Sequence, residues 1–128
     1  DASAAGPGRI INESDIESVG VIYKGWCPHP EKTDYVRVAG DSMLPTLPDG
    51  SLVTIDKSEA DPQRLKGQVV AVWIADRDEV TIKRLRYDAE RKIWKAIPDN
   101  ITETNLPFDL APEDRVIGKV RSVHAEVK

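Results

Sequence analysis

Short runs rich in β-branched residues, each closed by a turn signal, recur along most of this chain and leave little room for helices. They are "VGVIYKGW" (Val19–Trp26), "DYVRVAG" (Asp34–Gly40), "SLVTID" (Ser51–Asp56) and "GQVVAVWIA" (Gly67–Ala75). Further on come "EVTIKRLRY" (Glu79–Tyr87), "KIWKAIP" (Lys92–Pro98) and "RVIGKVRSVHAEV" (Arg115–Val127). Runs of this kind between Gly, Pro, Asn and Asp read as strands. Apolar spacing of the helical kind is scarce, and only "INESDIESV" (Ile11–Val19) and a single turn at Ser42–Leu47 suit it. Strands so many and so short do not fit a βαβ sheet. The predicted fold class is mostly β: a compact twisted β-sheet or partial barrel with one or two short helical turns.

Within that frame "ADRDE" (Ala75–Glu79) is expected to turn one strand back on the next as a hairpin. In "EVTIKRL" the period-2 alternation of a strand puts Val80 and Ile82 on one face and Thr81, Lys83 and Leu85 on the other. Arg84 then points away from Lys83. A lysine set between apolar neighbours either snorkels to water or is held out of it.

The chain has 128 residues, 40% of them hydrophobic and 31% charged, which suits one soluble domain with a substantial core. Its net charge of −4 and the interleaved signs of "IADRDEVTIKRLRYDAERKIWK" provide no basic stripe for a phosphate backbone to follow. Cys27 is the single cysteine, so no internal disulfide forms, in keeping with a reducing, cytoplasmic setting. No apolar run approaches the ~18 residues that would cross a bilayer, and no secretory signal pattern is present. Asp1–Gly8, "DASAAGPG", reads as an exposed arm of small residues. The division predicted is a flexible arm over 1–18 and one globular domain over 19–128. The first residue is Asp1 rather than Met, and a segment upstream of it is expected.

One stretch, "VAGDSMLPTLPDGSLVTID" (Val38–Asp56), combines a serine with unusual backbone chemistry. Gly40 allows an uncommon φ or a close approach, and Pro45 and Pro48 stiffen the chain after Ser42. One reading is a stiff loop capped by Asp41 or Ser42. The other is a fixed nucleophile whose neighbouring backbone N–H groups face an oxyanion. A serine hydroxyl needs a base. His29, between prolines, and His124, in the last strand, are the only histidines and neither sits in a triad segment. No GxSxG elbow is present, and one Cys with two His cannot make a Cys/His zinc cluster. No cofactor is called for. A Ser–Lys dyad remains, in which burial lowers the lysine's affinity for its proton. Lys83 is the candidate base. Lys57, Lys66, Lys92 and Lys95 have turn or solvent-like surroundings and suit the role less well.

"GDSMLPTLPDGSLVTID", followed by "KGQVVAVWI" and "EVTIKRL", resembles the C-terminal peptidase domain of LexA-type self-cleaving repressors, a family that includes lambda-type phage repressors and UmuD-type mutagenesis proteins. The likeness runs from about Tyr35 to Val123 and closes on "VIGKVRSV". It implies the LexA C-terminal fold, with Ser42 as nucleophile, Lys83 as general base, and backbone N–H groups at Asp41 and Ser42 as the oxyanion site. The family cuts itself at an Ala–Gly bond upstream of the serine. Ala5–Gly6, with Gly6 36 positions before Ser42, fits that place, although Pro7 departs from the pattern. The likeness further implies a homodimer, stimulation by a RecA–single-stranded-DNA filament, and operator DNA bound through a helix-turn-helix domain upstream of Asp1. No membrane partner is implied.

Three other readings stay open at this stage. "SMLPT" also fits a signal-peptidase-like Ser–Lys enzyme, but the membrane anchor and the larger insertion of such enzymes are missing from this stretch. A second is a dimerisation and partner-binding module that no longer cuts. A third, within the family, is an accessory subunit of a translesion polymerase, as in the UmuD type.

Overall fold

β-branched side chains pack well on a pleated surface, and the sequence runs that carry them become strands. The computed structural model describes residues 16–18 and 32–122. Within them lie β1 (Ile16–Ser18), β2 (Thr33–Val38), β3 (Leu52–Asp56), a short helix α1 (Pro62–Leu65) and β4 (Val69–Ile74). The chain continues through β5 (Glu79–Asp88), β6 (Ile93–Ile97), β7 (Phe108–Asp109) and β8 (Arg115–Ser122). All eight strands join one sheet in the order β1-β2-β3-β8-β4-β5-β6-β7, and every described pairing is antiparallel. The mostly β fold class read from the sequence is the one observed. The sheet is open but curled: β1, at one edge, returns to within 8 Å (Cα–Cα) of β5.

Several elements differ from the sequence reading, among them the strand β7, which no sequence run foreshadowed. Ile16–Ser18, inside the stretch read as helical, is a strand paired through Ile16↔Val38, Glu17↔Arg37 and Ser18↔Val36. The edge of β2 supplies ladder bonds that a marginal, isolated helix cannot match. The helix α1 falls where none was expected. Asp61 caps it by accepting the Gln63 N–H at 3.0 Å, and Pro62 starts it. The turn at Ser42–Leu47 is a run of hydrogen-bonded turns without a helix, and it contains a cis Leu44–Pro45 bond. The Ala75–Glu79 hairpin forms as expected, with Ile74 opposite Glu79. The sequence run Val19–Trp26 lies outside the described residues.

The sheet buries apolar side chains on both faces. Along β4, Ala71 joins a cluster with Val36, Met43, Leu47, Val53, Ile55, Val80 and Ile82, with Val69 and Trp73 packed against it. The alternate residues Val70, Val72 and Ile74 join Leu65 and Leu85 in a second cluster. β5 therefore carries four consecutive buried residues, Val80 to Lys83. That is the pattern of a strand covered on both sides. No helix among the described residues is long and apolar enough to cross a membrane.

Candidate active site

The loop between β2 and β3 holds Ser42, and its conformation follows from its sequence. Gly40 takes φ +96°, a region costly for any side chain, and its N–H donates to Asp49 Oδ1 at 2.9 Å. The loop is closed at its base by Val38 N–H to the Ser51 carbonyl (2.9 Å) and Gly50 N–H to the Val38 carbonyl (2.7 Å). Met43 and Leu47, 1% and 4% exposed, anchor it in the core. Ser42, adjacent to the buried Met43, is thus half-buried and fixed at the surface of that core.

Lys83 comes from the middle of β5, opposite Val70 of β4. It is only 7% exposed. Its Nζ donates to Thr81 Oγ1 at 2.7 Å and to the Ile82 carbonyl at 3.1 Å, and lies 3.4 Å from Ser42 Oγ. Thr81 and Lys83 share a strand face, as the alternation requires. The structure thus brings together two side chains separated by 41 positions, the pair singled out in the sequence. At 3.4 Å the contact is longer than a tight hydrogen bond, as catalytic pairs commonly are before substrate enters.

Other lysines are engaged elsewhere. Lys57 pairs with Asp34 at 3.3 Å, Lys95 with Asp109 at 2.7 Å, and Lys66 stands 6.0 Å from the Tyr87 ring centre. Asp41 lies in the site loop beside Ser42. Ala5, Gly6, Cys27, His29 and His124 lie outside the described residues.

Sequence reasoning missed the segment that clasps the serine loop from outside, Pro98–Asn105. The Asn100 N–H donates to the Ser42 carbonyl and Asn100 Nδ2 to the Asp41 carbonyl, each at 3.0 Å. Asn105 Nδ2 donates to Asp41 Oδ1 at 3.0 Å. The neighbouring Asp99 receives Arg84 in a fork, Nε to Oδ1 at 2.8 Å and Nη2 to Oδ2 at 2.7 Å, and also accepts the Thr46 hydroxyl. Hydrogen bonds from Arg84 hold the Asp99 carboxyl below the usual carboxylate range, with Thr46 adding to the effect. The same bonds raise the Arg84 guanidinium. A signal existed only in part: "PDN" at Pro98–Asn100 is turn chemistry, and nothing local names its partners.

An antiparallel β domain here sets a serine hydroxyl beside a buried amine, the two groups that a peptidase of the Ser–Lys kind employs. The chain belongs to the Peptidase S24-like family, whose model matches residues 1–121. No curated protein matches it.

Proposed function

We propose that this domain cleaves its own chain, with Ser42 as nucleophile and Lys83 as general base. The observation that carries the reading is the 3.4 Å approach of a buried lysine Nζ to Ser42 Oγ. A lysine accepts a proton only as the neutral amine, and burial favours that form by penalising the ammonium. Thr81 Oγ1 and the Ile82 carbonyl accept N–H bonds from Nζ, an arrangement in which the amine lone pair serves the Ser42 proton.

The bond cut is Ala5–Gly6. Ser42 Oγ bonds to the Ala5 carbonyl carbon as its proton passes to Lys83, and the oxyanion is met by the backbone N–H groups of Asp41 and Ser42. The Ala5–Gly6 bond then breaks, with Lys83 returning the proton to the Gly6 amine. Water, deprotonated by Lys83, hydrolyses the resulting ester and regenerates Ser42. The family resemblance extends the proposal to a LexA- or phage-type repressor of the cytoplasm. It dimerises through this domain, binds operator DNA through an upstream helix-turn-helix domain, and is cut when a RecA–single-stranded-DNA filament favours the cleavable conformation.

The test is incubation of the full-length protein at alkaline pH, with products identified by mass. Cleavage between Ala5 and Gly6 is expected to accelerate as pH rises, to accelerate near neutrality with added filament, and to vanish in Ser42→Ala and Lys83→Ala. Cutting that persists in either variant removes the dyad. A wild-type chain that dimerises yet stays whole is a binding module instead.

A further inference from the structure

We infer that Asn100 is the positioning residue for the nucleophile, and that the Arg84–Asp99 ion pair couples its placement to that of Lys83. This rests on the Ser–Lys reading above.

Two peptide groups flank the Ser42 Cα, and Asn100 grips both. Its side-chain amide donates to the Asp41 carbonyl and its backbone N–H to the Ser42 carbonyl, each at 3.0 Å. With both planes fixed, φ and ψ of Ser42 are fixed, and with them the direction of the Cα–Cβ bond that carries Oγ. The Asp41–Ser42 peptide is not among the cis bonds, so its N–H points opposite to the Asp41 carbonyl. Asn100 therefore turns the Ser42 N–H away from itself, as an oxyanion donor requires. Among the described residues no acceptor takes that N–H. The Leu44 N–H, which also donates to the Asp41 carbonyl at 3.2 Å, reinforces the same orientation.

The loop that carries Asn100 is held in turn. Arg84 directly follows Lys83 in β5 and points to the opposite face, where its guanidinium forks onto Asp99 and donates to the Gly67 carbonyl at 2.8 Å. Asp99 directly precedes Asn100 and also accepts the Thr46 hydroxyl from the serine loop. A closed circuit results: Lys83 bonded to Arg84, Arg84 paired with Asp99, Asp99 bonded to Asn100, Asn100 hydrogen-bonded across Ser42. Base and nucleophile sit on different elements, and this circuit fixes their separation through their backbones, without Lys83 Nζ or Ser42 Oγ taking part in it. A forked guanidinium–carboxylate pair suits that task because its geometry is directional. Misplacement of a reacting group by about 1 Å can cost about 100-fold in rate.

The experiment follows self-cleavage of the full-length protein across the alkaline range for wild type, Asn100→Ala, Asn100→Ser and Arg84→Lys, with thermal melts of each. Asn100→Ala is expected to lower the high-pH plateau rate by about 10-fold or more while leaving the midpoint of the pH–rate profile in place. Asn100→Ser, which keeps a short donor, recovers part of the loss. Arg84→Lys keeps the charge but loses the fork, and lowers the plateau likewise. A purely structural role would lower the melting temperature and leave the plateau rate of the folded protein unchanged. Wild-type rates in folded Asn100→Ala overturn the inference, as do wild-type rates in folded Arg84→Lys if Asn100→Ala fails to fold. The inference fails alone if Ser42→Ala and Lys83→Ala are inert while these variants cleave normally. It fails together with the Ser–Lys reading if Ser42→Ala still cleaves or if wild type does not.

Discussion

Asp34 and Asp99 are both partly buried carboxylates beside a cation, yet the balance of forces differs between them. At Asp99 two hydrogen bonds from Arg84 outweigh burial and hold the carboxyl below its ordinary value. At Asp34 burial is the largest influence and raises the carboxyl above its ordinary value of 3.8, against the opposing pull of Lys57 at 3.3 Å. One oxygen, Asp34 Oδ2, is buried and has no hydrogen-bond partner among the described residues. A carboxyl raised in the folded state favours folding when neutral and opposes it when ionised. Its penalty is absent below the unfolded value of 3.8, grows as pH rises through the raised folded value, and is complete above it. Asp34→Asn is therefore expected to melt a few degrees above the parent at pH 7, with the gap closing as pH falls to 3.8. Melting curves of the two proteins across that range measure it. A gap that stays constant with pH, or a variant that melts lower at neutrality, contradicts the assignment.

Among the elements, β8 joins the two halves of the sheet, since it alone lies between β3 and β4. Its register against β4 shifts between Ala71, opposite Gly118, and Val72, opposite Val116, which leaves Ile117 as the extra residue of a bulge. Gly118 sits where that bulge presses β8 onto β3. A Cβ added there would lie 2.5 Å from the Asp56 carbonyl oxygen and 2.8 Å from its carbon, both backbone atoms. Gly118→Ala is expected to destabilise the domain by about 1–3 kcal/mol or more, read as a lower denaturant midpoint. An unchanged midpoint would show that the strands part without cost. The sequence made most of the sheet legible because each run of Val, Ile and Trp carries its own strand preference and turn boundaries. It failed where the partner decides: β1 has too few residues to choose between helix and strand until β2 pairs with it. The helix α1 and strand β7 are shorter than any periodicity can register, although Asp61–Pro62 did carry a capping signal. The site divides the same way. Ser42 and Lys83 stand in stretches with local character, a stiffened loop and an alternating strand. Asn100 meets Ser42 across 58 positions of chain, and no local pattern reports such a pairing.

For the whole molecule the decisive quantity is the reach of the arm relative to the size of the domain. Gly6 precedes Ile16 by ten positions, and ten residues of chain span at most about 33–36 Å. A domain of this length has a radius of gyration of about 14 Å. The arm joins the sheet at β1, and β1 returns to within 8 Å (Cα–Cα) of β5, the strand that carries Lys83. Ile16 itself pairs with Val38, four positions before Ser42, so a tether starting there is long enough to bring Ala5–Gly6 to Ser42 of the same chain. Short flexible tethers give effective concentrations on the order of millimolar, well above the micromolar range in which such a protein would be assayed. Attack within one chain should therefore outrun attack between chains, and a slow base suffices because the encounter is already made. Self-cleavage is expected to be first order, with a half-time unchanged over a hundredfold range of protein concentration. Added wild-type protein should cut a Ser42→Ala chain far more slowly than it cuts itself. A rate that rises in proportion to concentration would mean that each arm is delivered to another molecule's serine, and the geometry of β1 beside β5 would then serve the fold alone.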